Sequence, residues 1–286
     1  MTTTAAPRGN RDICLATLRD TDRDRYLACL LAPEEKRPAL AALYAFNAEL
    51  ARIRDLVHEP LPGEVRMQYW RDLLEGQAHG SSEANPIAAE LLTAIEHYRL
   101  PRQTLIDMID ARIFDLYDDP METRGNLEGY AGETASALIQ LASLVLSADE
   151  AKRSADAAGH AGVAQAIAGL LLLMPLHRHR GQLYLPLEIL TATGLDRDSF
   201  LAGRDKARVS VAIEAFAGLG REHLAKARAA GAIPQAVFPA FLPATLAEPA
   251  LKKAQKLGAG LFDQSPALTQ WRRQTRMAIA SITKKI

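Results

Sequence analysis

The chain has 286 residues, of which 48% are hydrophobic and 24% charged, an ordinary balance for a globular protein that buries a sizeable core. Its 34 basic and 34 acidic side chains cancel, so it lacks the basic surplus that nucleic-acid binding requires, and we expect no nucleic-acid partner. The two cysteines, Cys14 and Cys29, fit neither a disulfide framework nor a zinc spacing, which favours a reducing compartment.

The beginning of the chain predicts a flexible tail, 1–10, ahead of a folded domain over 11–286. These ten residues are small and polar, with Arg8 as the one charged side chain, and they do not form a secretory signal. The longest apolar stretch, 161–176, contains two glycines and a glutamine and is shorter than the roughly 20 residues that cross a bilayer. We therefore expect a soluble chain, or at most a peripheral one.

Helical signals dominate the rest of the sequence. Pro33 and the two glutamates after it predict a helix start, and apolar residues then recur at helical spacing until Pro60 ends the run. A further helix is predicted after Gly63. The other predicted helices cover 86–98, 101–117, 126–146, 151–174, 206–230, 235–257 and 268–286. About ten helices in one all-α domain, joined by short connections rich in Pro and Gly, is the resulting prediction.

Four segments of the chain resemble landmarks of the squalene/phytoene synthase family, and they occur in the family's order. They are Ala-Pro-Glu-Glu-Lys-Arg at 32–37 with Leu-Tyr-Ala-Phe at 43–46, Gly-Glu-Val-Arg at 63–66 with Trp-Arg-Asp at 70–72, Gly-Tyr-Ala-Gly-Glu-Thr-Ala at 129–135, and Arg-Gly-Gln-Leu-Tyr-Leu-Pro at 180–186. The resemblance implies an isoprenoid-synthase-type helical bundle around a central apolar pocket. Catalytic members of this family join two isoprenoid diphosphates head to head.

Catalytic members hold Mg²⁺ against the diphosphates with two Asp-x-x-x-Asp motifs on facing helices. Residues i and i+4 share one helix face, so both carboxylates reach the same metal ions. In this chain, alignment on 44–46 places the first motif's aspartates at Ala51 and Asp55, and the arginine that usually precedes them at Ala48. Half of that motif's carboxylates are therefore missing. Asp55 is the one candidate metal ligand, with helix capping or ion pairing as its alternative role.

The second aspartate motif is missing as well. No acidic residue occurs between Asp156 and Glu188, and the segment that should carry the motif, 166–176, is almost entirely hydrocarbon. Pro175 lies within it and should end or kink the helix. We expect the ordinary magnesium chemistry to fail, so that no cofactor is needed; Mg²⁺ would be required only if the chain is an enzyme after all.

The resemblance also implies candidate residues for the pocket and for a ligand. The pocket candidates are Tyr44, Tyr130 and Gln165, and the candidates for diphosphate or ligand binding are Arg37, Arg180 and Tyr184. Tyr130 could instead be a packed tyrosine with a satisfied hydroxyl, and Arg180 and Tyr184 could be structural residues of their loop. Asp115 and Asp119 form another Asp-x-x-x-Asp, but at a predicted helix end, where acids are usually solvated.

The last predicted helix is amphipathic and basic. Its apolar stripe is Leu268, Trp271, Ala278, Ile282 and Ile286, and its basic residues are Arg272, Arg273, Arg276, Lys284 and Lys285. Such a pattern suits an anionic membrane surface, so these basic residues and Trp271 are candidates for membrane contact. The alternative is a last helix docked on the domain with its basic face in water.

The departures from the catalytic motifs have a pattern of their own. Phe-Asn-Ala-Glu-Leu-Ala at 46–51 followed by Asp55, and Ala-Gln-Ala-Ile at 164–167 followed by Pro175, resemble one branch of the family, typified by the mitochondrial complex I assembly factor 6 and its alphaproteobacterial relatives. The resemblance implies a non-catalytic protein that serves assembly of complex I. Its partner would be a complex I subunit or assembly intermediate, or an apolar isoprenoid ligand.

Two other functions stay open at this point. One is an active prenyl-diphosphate synthase of the phytoene or squalene synthase type, and the other is a non-catalytic protein that binds isoprenoids or lipids. Because residues 1–10 show no Arg-rich amphipathic transit peptide, we expect a bacterial cytoplasmic protein, with peripheral contact to the inner membrane as an alternative.

Overall fold

The computed structural model describes residues 9–77 and 84–286, and within these residues the chain forms helices and no β-strand, as the sequence predicts. The α-helices, in chain order, are α1 (Asn10–Thr21), α2 (Arg23–Leu30), α3 (Arg37–Leu56), α4 (Pro60–Glu75), α5 (Pro86–Tyr98), α6 (Arg102–Ile113), α7 (Arg124–Ala131), α8 (Ala137–Leu146), α9 (Ala148–Arg153), α10 (Ala155–Leu172), α11 (Met174–His179), α12 (Leu187–Ala192), α13 (Arg197–Ala202), α14 (Lys206–Ala229), α15 (Phe238–Phe241), α16 (Ala247–Leu257) and α17 (Gln270–Thr283). No helix among the described residues is long and apolar enough to cross a membrane.

Several predicted helices are divided in the structure. The prediction over 126–146 becomes α7 and α8 with a π-helical segment, Gly132–Ser136, between them. Helix α10 ends at Leu172, and α11 begins two residues later with Pro175 in its first turn. The interruption before Pro175 was predicted, because proline cannot donate the backbone hydrogen bond that would continue α10.

Five helices were not predicted: α1, α2, α11, α12 and α13, of which α11 shares only Met174 with the predicted helix over 151–174. Helix α1 buries only Cys14 and Leu18 fully, a stripe too narrow to show as an amphipathic pattern. Helix α2 has eight residues and begins at a cap in which the Asp22 side chain accepts the backbone N–H of Arg25 at 3.0 Å. Most of the predicted tail, namely residues 1–8, lies outside the described residues, whereas Asn10 already belongs to α1.

Helices α3 and α10 are central to the packing. Residues 39–48 of α3 are all buried, so this part of the helix is enclosed on every side rather than amphipathic. It packs against α1, α5 and α8, while α10 packs against α14 and α16. Residues of α10 contribute to both of the large apolar clusters of the core, which this helix therefore joins.

A glycine lets α10 approach the π-helical segment closely. A Cβ atom at Gly162 would lie 2.3 Å from Cα of Ser136, closer than any side chain could be placed. At the same contact, the Ser136 hydroxyl donates to the carbonyl oxygen of Gly159 at 2.7 Å. Thr134 and Ala135, which belong to the same π-helical segment, line the wall of a cavity.

Candidate functional site

A cavity of about 580 Å³ opens between α3 and α10, a size typical of small-molecule sites. Its α10 wall consists of Gln165, Ala166, Ala168, Gly169, Leu170 and Leu172, with Leu173 just beyond the end of the helix. Among these residues, Gln165 has the one polar side chain. The family resemblance assigns the position of the second aspartate motif to this helix. The wall that the helix forms is mainly hydrocarbon, as the sequence of 166–176 predicts.

The rest of the cavity is strongly charged, so the pocket is only partly apolar. Among the described residues, three carboxylates and four guanidinium groups line it: Asp22, Asp24 and Asp55, with Arg25, Arg52, Arg112 and Arg273. The lining thus carries one more positive than negative charge when all seven groups are ionised.

Each of the three carboxylates has an arginine of the chain beside it. Arg25 lies 2.5 Å from Asp22, and Arg180 Nη1 lies 2.7 Å from Asp55 Oδ1. Asp24 pairs with Arg273 at the start of α17. Burial raises the pKa of the Asp24 carboxyl, and the charge of Arg273 opposes that rise. Local arginines therefore already satisfy these acids.

The donor set of this cavity does not fit a magnesium cluster. Mg²⁺ prefers carboxylate and other oxygen ligands, usually with carboxylates that are free to bridge to substrate phosphates. Here α10 offers a single amide, and the facing carboxylates are engaged with arginines. Within residues 9–77 and 84–286, no group of three or more His, Cys, Asp or Glu side chains could hold a metal ion. Asp55 forms an ion pair with Arg180 at the end of α3, which is the alternative to metal binding that the sequence left open.

Beside the cavity lies a buried polar cluster centred on Asp115. The hydroxyl groups of Tyr130 and Tyr184 each donate to Asp115 Oδ1 at 2.9 Å, and Arg112 donates to Oδ2 at 3.1 Å. The side-chain amide of Gln182 donates to the Asp115 carbonyl oxygen at 3.1 Å. Burial raises the pKa of both tyrosines, so their hydroxyls stay protonated and act as donors. Asp115 was expected to be solvated, and that expectation is wrong because these donors replace water.

The structure brings some of the predicted residues together and separates others. Tyr130 and Gln165 line the cavity. The Tyr130 hydroxyl also donates a hydrogen bond to Asp115, so it is satisfied as the packed alternative for this residue requires. Tyr184 joins the same cluster from the loop before α12. Arg180 reaches the cavity's edge through Asp55. Two of the four residues thus line the cavity and two lie next to residues that do, while their roles toward a ligand stay predictions.

Tyr44 and Arg37 lie away from the described lining of the cavity. Tyr44 is buried in the core of α3, with the Arg25 guanidinium 5.8 Å from its ring centre. Arg37 Nε donates to the carbonyl oxygen of Ala32 at 3.0 Å and closes the turn that precedes α3. In the structure Tyr44 thus packs in the core and Arg37 closes a turn, and their pocket and ligand roles stay predictions.

Sequence reasoning missed most of the charged lining. Asp24 and Arg25 belong to the short helix α2 and Asp22 caps it; because this helix was not predicted, no face could be assigned to these residues. Arg112 precedes Asp115 by three residues, which places both on one side of the helical turn. That spacing was the one signal for the buried cluster.

Helix α17 turns part of its basic side toward the protein. Arg273 pairs with Asp24, and Arg276 donates to the Thr245 carbonyl oxygen at 2.6 Å and pairs with Glu248. The ammonium group of Lys284 lies 5.3 Å from the Phe238 ring centre. These three basic residues therefore contact the body of the protein, whereas Trp271, Arg272 and Lys285 are exposed. The last helix is therefore docked on the domain, as the alternative has it, but only part of its basic face lies in water.

Comparison with known proteins adds the following likenesses. The sequence profile named Squalene/phytoene synthase matches residues 18–274. The NADH dehydrogenase (ubiquinone) complex I, assembly factor 6 of Homo sapiens is 34% identical over 258 residues, which cover 90% of this chain and 77% of that protein. The 15-cis-phytoene synthase of Synechocystis is 26% identical over 203 residues, covering 67% of this chain and 60% of that enzyme. A dehydrosqualene synthase crystal structure superposes with a TM-score of 0.77 at 18% identity and covers 96% of both chains, a likeness that shows the fold.

Proposed function

Because the chain belongs to the squalene/phytoene synthase family, we propose that it is a non-catalytic member that serves the assembly of respiratory complex I. The observation that carries the proposal is the hydrocarbon wall formed by α10, opposite carboxylates that arginines already neutralise. Diphosphate departure needs its developing negative charge stabilised by metal ions held at fixed positions. The residues of this cavity offer no such arrangement of ligands.

The relatives support the assembly half of the proposal. The human protein named as a complex I assembly factor shares more identical residues with this chain, over more of its length, than the Synechocystis phytoene synthase does. Its similarity extends along 90% of the chain and 77% of the human protein, so it covers most of the fold.

Deletion of the gene in a bacterium that has complex I tests the assembly role. We expect membranes of the deletion strain to lose NADH:ubiquinone oxidoreductase activity and the assembled complex on native gels, and a plasmid copy of this chain to restore both. A phytoene synthase supplied in the same way should not restore them. Succinate dehydrogenase activity serves as the control for membrane quality. Normal complex I in the deletion strain would refute the proposal.

An active synthase is the alternative that a direct assay decides. The purified chain, incubated with farnesyl or geranylgeranyl diphosphate and Mg²⁺, should release no pyrophosphate above the buffer control. Pyrophosphate release that depends on both Mg²⁺ and the protein would show that other residues supply the metal ligands. The chain would then be an active synthase.

Ligand binding without catalysis is a second candidate, and the cavity itself favours it. Its volume and the leucines at 170, 172 and 173 would suit an isoprenoid or lipid chain. Gly169 lines the cavity, and a Cβ there would meet nothing within 4 Å, so Gly169→Leu should fill the space without disturbing the fold. We expect organic extracts of the gently purified chain to contain an apolar compound that the variant lacks. An empty wild-type cavity would count against this candidate.

A further inference from the structure

Helix α17 is held to the protein by charged contacts and by two buried apolar side chains. Arg273 pairs with Asp24 of α2, and Arg276 contacts Glu248 of α16 and the Thr245 carbonyl oxygen. Between them the helix buries Met277 and Ala280 in a small apolar cluster. The side of α17 that faces the body therefore combines arginines with two small or flexible apolar side chains.

The opposite side of α17 is apolar and faces solvent. Trp271 is 61% exposed, Ile279 55% and Ile282 81%. With Thr275 and Ala278, which are also exposed, these residues recur at intervals of three and four and so form one continuous stripe along the helix. Single exposed apolar residues are common on soluble proteins, but a stripe of this kind on one helix indicates an interaction surface.

Positive charge borders this stripe. The Arg272 guanidinium carbon lies 5.4 Å from the Trp271 ring centre, and Lys285 is exposed just beyond the end of the helix. No acidic residue follows Asp263 in the sequence. The surface thus offers apolar side chains between cations, which is complementary to the headgroup and upper acyl region of an anionic bilayer.

We propose that the solvent-facing side of α17 docks on an anionic membrane surface. Helix α17 need not detach, because its apolar stripe already points outward while Arg273 and Arg276 hold the helix to the body. A tryptophan at the edge of such a stripe suits the interface, where an apolar ring and a polar N–H are both satisfied. A stable protein interface buries on the order of 800 Å² per partner, more than a single helical stripe offers.

Binding of the purified full chain to lipid vesicles tests the docking surface. We expect the chain to sediment with vesicles of equal parts phosphatidylcholine and phosphatidylglycerol, more weakly at high salt, and to stay in solution with pure phosphatidylcholine. Tryptophan emission should shift to shorter wavelength on binding. Trp70 is buried against Phe46, so the shift would report on Trp271.

Two pairs of substitutions identify the surface that binds. Ile279→Gln with Ile282→Gln should reduce vesicle partitioning at least about tenfold, because each apolar group buried in the interface contributes to binding. The matched control is Leu61→Gln with Val65→Gln, an equally exposed apolar pair on α4, and it should bind like the wild type. Circular dichroism verifies that both variants stay helical.

A charge variant provides an independent measurement. Arg272→Glu with Lys285→Glu should abolish the preference for anionic vesicles while leaving the unfolding temperature close to that of the wild type, since both residues are exposed. The proposal is overturned if the wild type does not bind anionic vesicles, or if the α17 and α4 pairs lose binding equally. The first outcome would assign the apolar stripe to a protein partner. None of these measurements depends on complex I.

Discussion

Arg180 and Asp55 form an ion pair, with Nη1 of the arginine 2.7 Å from Oδ1 of the aspartate, where the end of α3 meets the end of α11. The family resemblance aligns Asp55 with an aspartate of the first motif, and Arg180 belongs to the loop in which that resemblance implied a ligand contact. The two residues contact each other instead. The Arg180 guanidinium group therefore lies next to the Asp55 carboxylate, the group to which a metal ion would bind.

Magnesium should leave the stability of the protein unchanged. A ligand that binds only the folded state adds about 2.7 kcal/mol at a hundred times its dissociation constant, which would raise the unfolding temperature by several degrees. We expect the same unfolding temperature in MgCl₂ and in NaCl of matched ionic strength. Arg180→Ala, which frees the partly exposed Asp55, should cost no more than about 1 kcal/mol and still give no response to magnesium. A rise specific to Mg²⁺ would show that a metal site exists.

Gly162 should tolerate no side chain. Because a Cβ there would meet the Ser136 backbone at 2.3 Å, Gly162→Ala should force α10 away from the π-helical segment and cost about 3 kcal/mol of unfolding free energy. Gly159→Ala is the matched control on the same helix, since a Cβ there meets nothing within 4 Å. The control should be neutral or stabilise by up to about 1 kcal/mol, because alanine favours the helix. Equal midpoints for the two variants in urea unfolding would contradict the close approach.

Periodicity predicted the central helix but not how completely it is buried. Leu40, Leu43, Phe46, Leu50 and Ile53 indicated a helix, and all five are buried in α3. The alanines at 41, 42, 45 and 48 are buried too, whereas Ala51 is exposed, and a spacing rule describes one face only. Enclosure on every side depends on which helices pack around α3, and local spacing carries no information about that.

The orientation of α17 shows a second limit. Its sequence predicts an amphipathic helix, but either face of such a helix can pack on a protein. Part of the basic face packs inward here because Asp24 and Glu248 lie opposite Arg273 and Arg276. Asp24 and Arg273 are 249 residues apart, so their pairing could not be read from local patterns. The same reason explains why the arginines of the cavity were missed.

Asp115 should be far more important for stability than its neighbours on the same loop. Asp115→Asn removes the charge that faces the partly buried Arg112 and weakens the hydrogen bonds from both tyrosines, so we expect a loss of about 3 kcal/mol. The control is Asp119→Asn, an exposed residue, with an effect within about 0.5 kcal/mol. Urea unfolding at neutral pH measures both. If the two variants were equally stable, the buried cluster would not contribute as the hydrogen bonds indicate.

His177 should make the protein less stable in mild acid. Burial lowers the pKa of His177 to about 4, against an ordinary value of 6.5, and among its charged neighbours Asp115 and Asp55 oppose that shift while Arg180 adds to it. The ring lies against Tyr184, with centres 4.7 Å apart. Since the unfolded chain takes up the proton at higher pH than the folded one, the stabilisation is complete above pH 6.5 and is lost as the pH falls toward 4.

The pH dependence can be assigned to this residue by comparing two histidine variants. Between about pH 8 and pH 5, His177 should account for a loss of about 2 kcal/mol in the unfolding free energy of the wild type. His177→Gln should lower stability at pH 8 but remove most of that slope, because no proton is then taken up on unfolding at this position. His179→Gln, two residues away and exposed, should keep the slope of the wild type. Equal slopes in the wild type and His177→Gln would mean that the folded protein accommodates a charged His177, contrary to its burial against Tyr184.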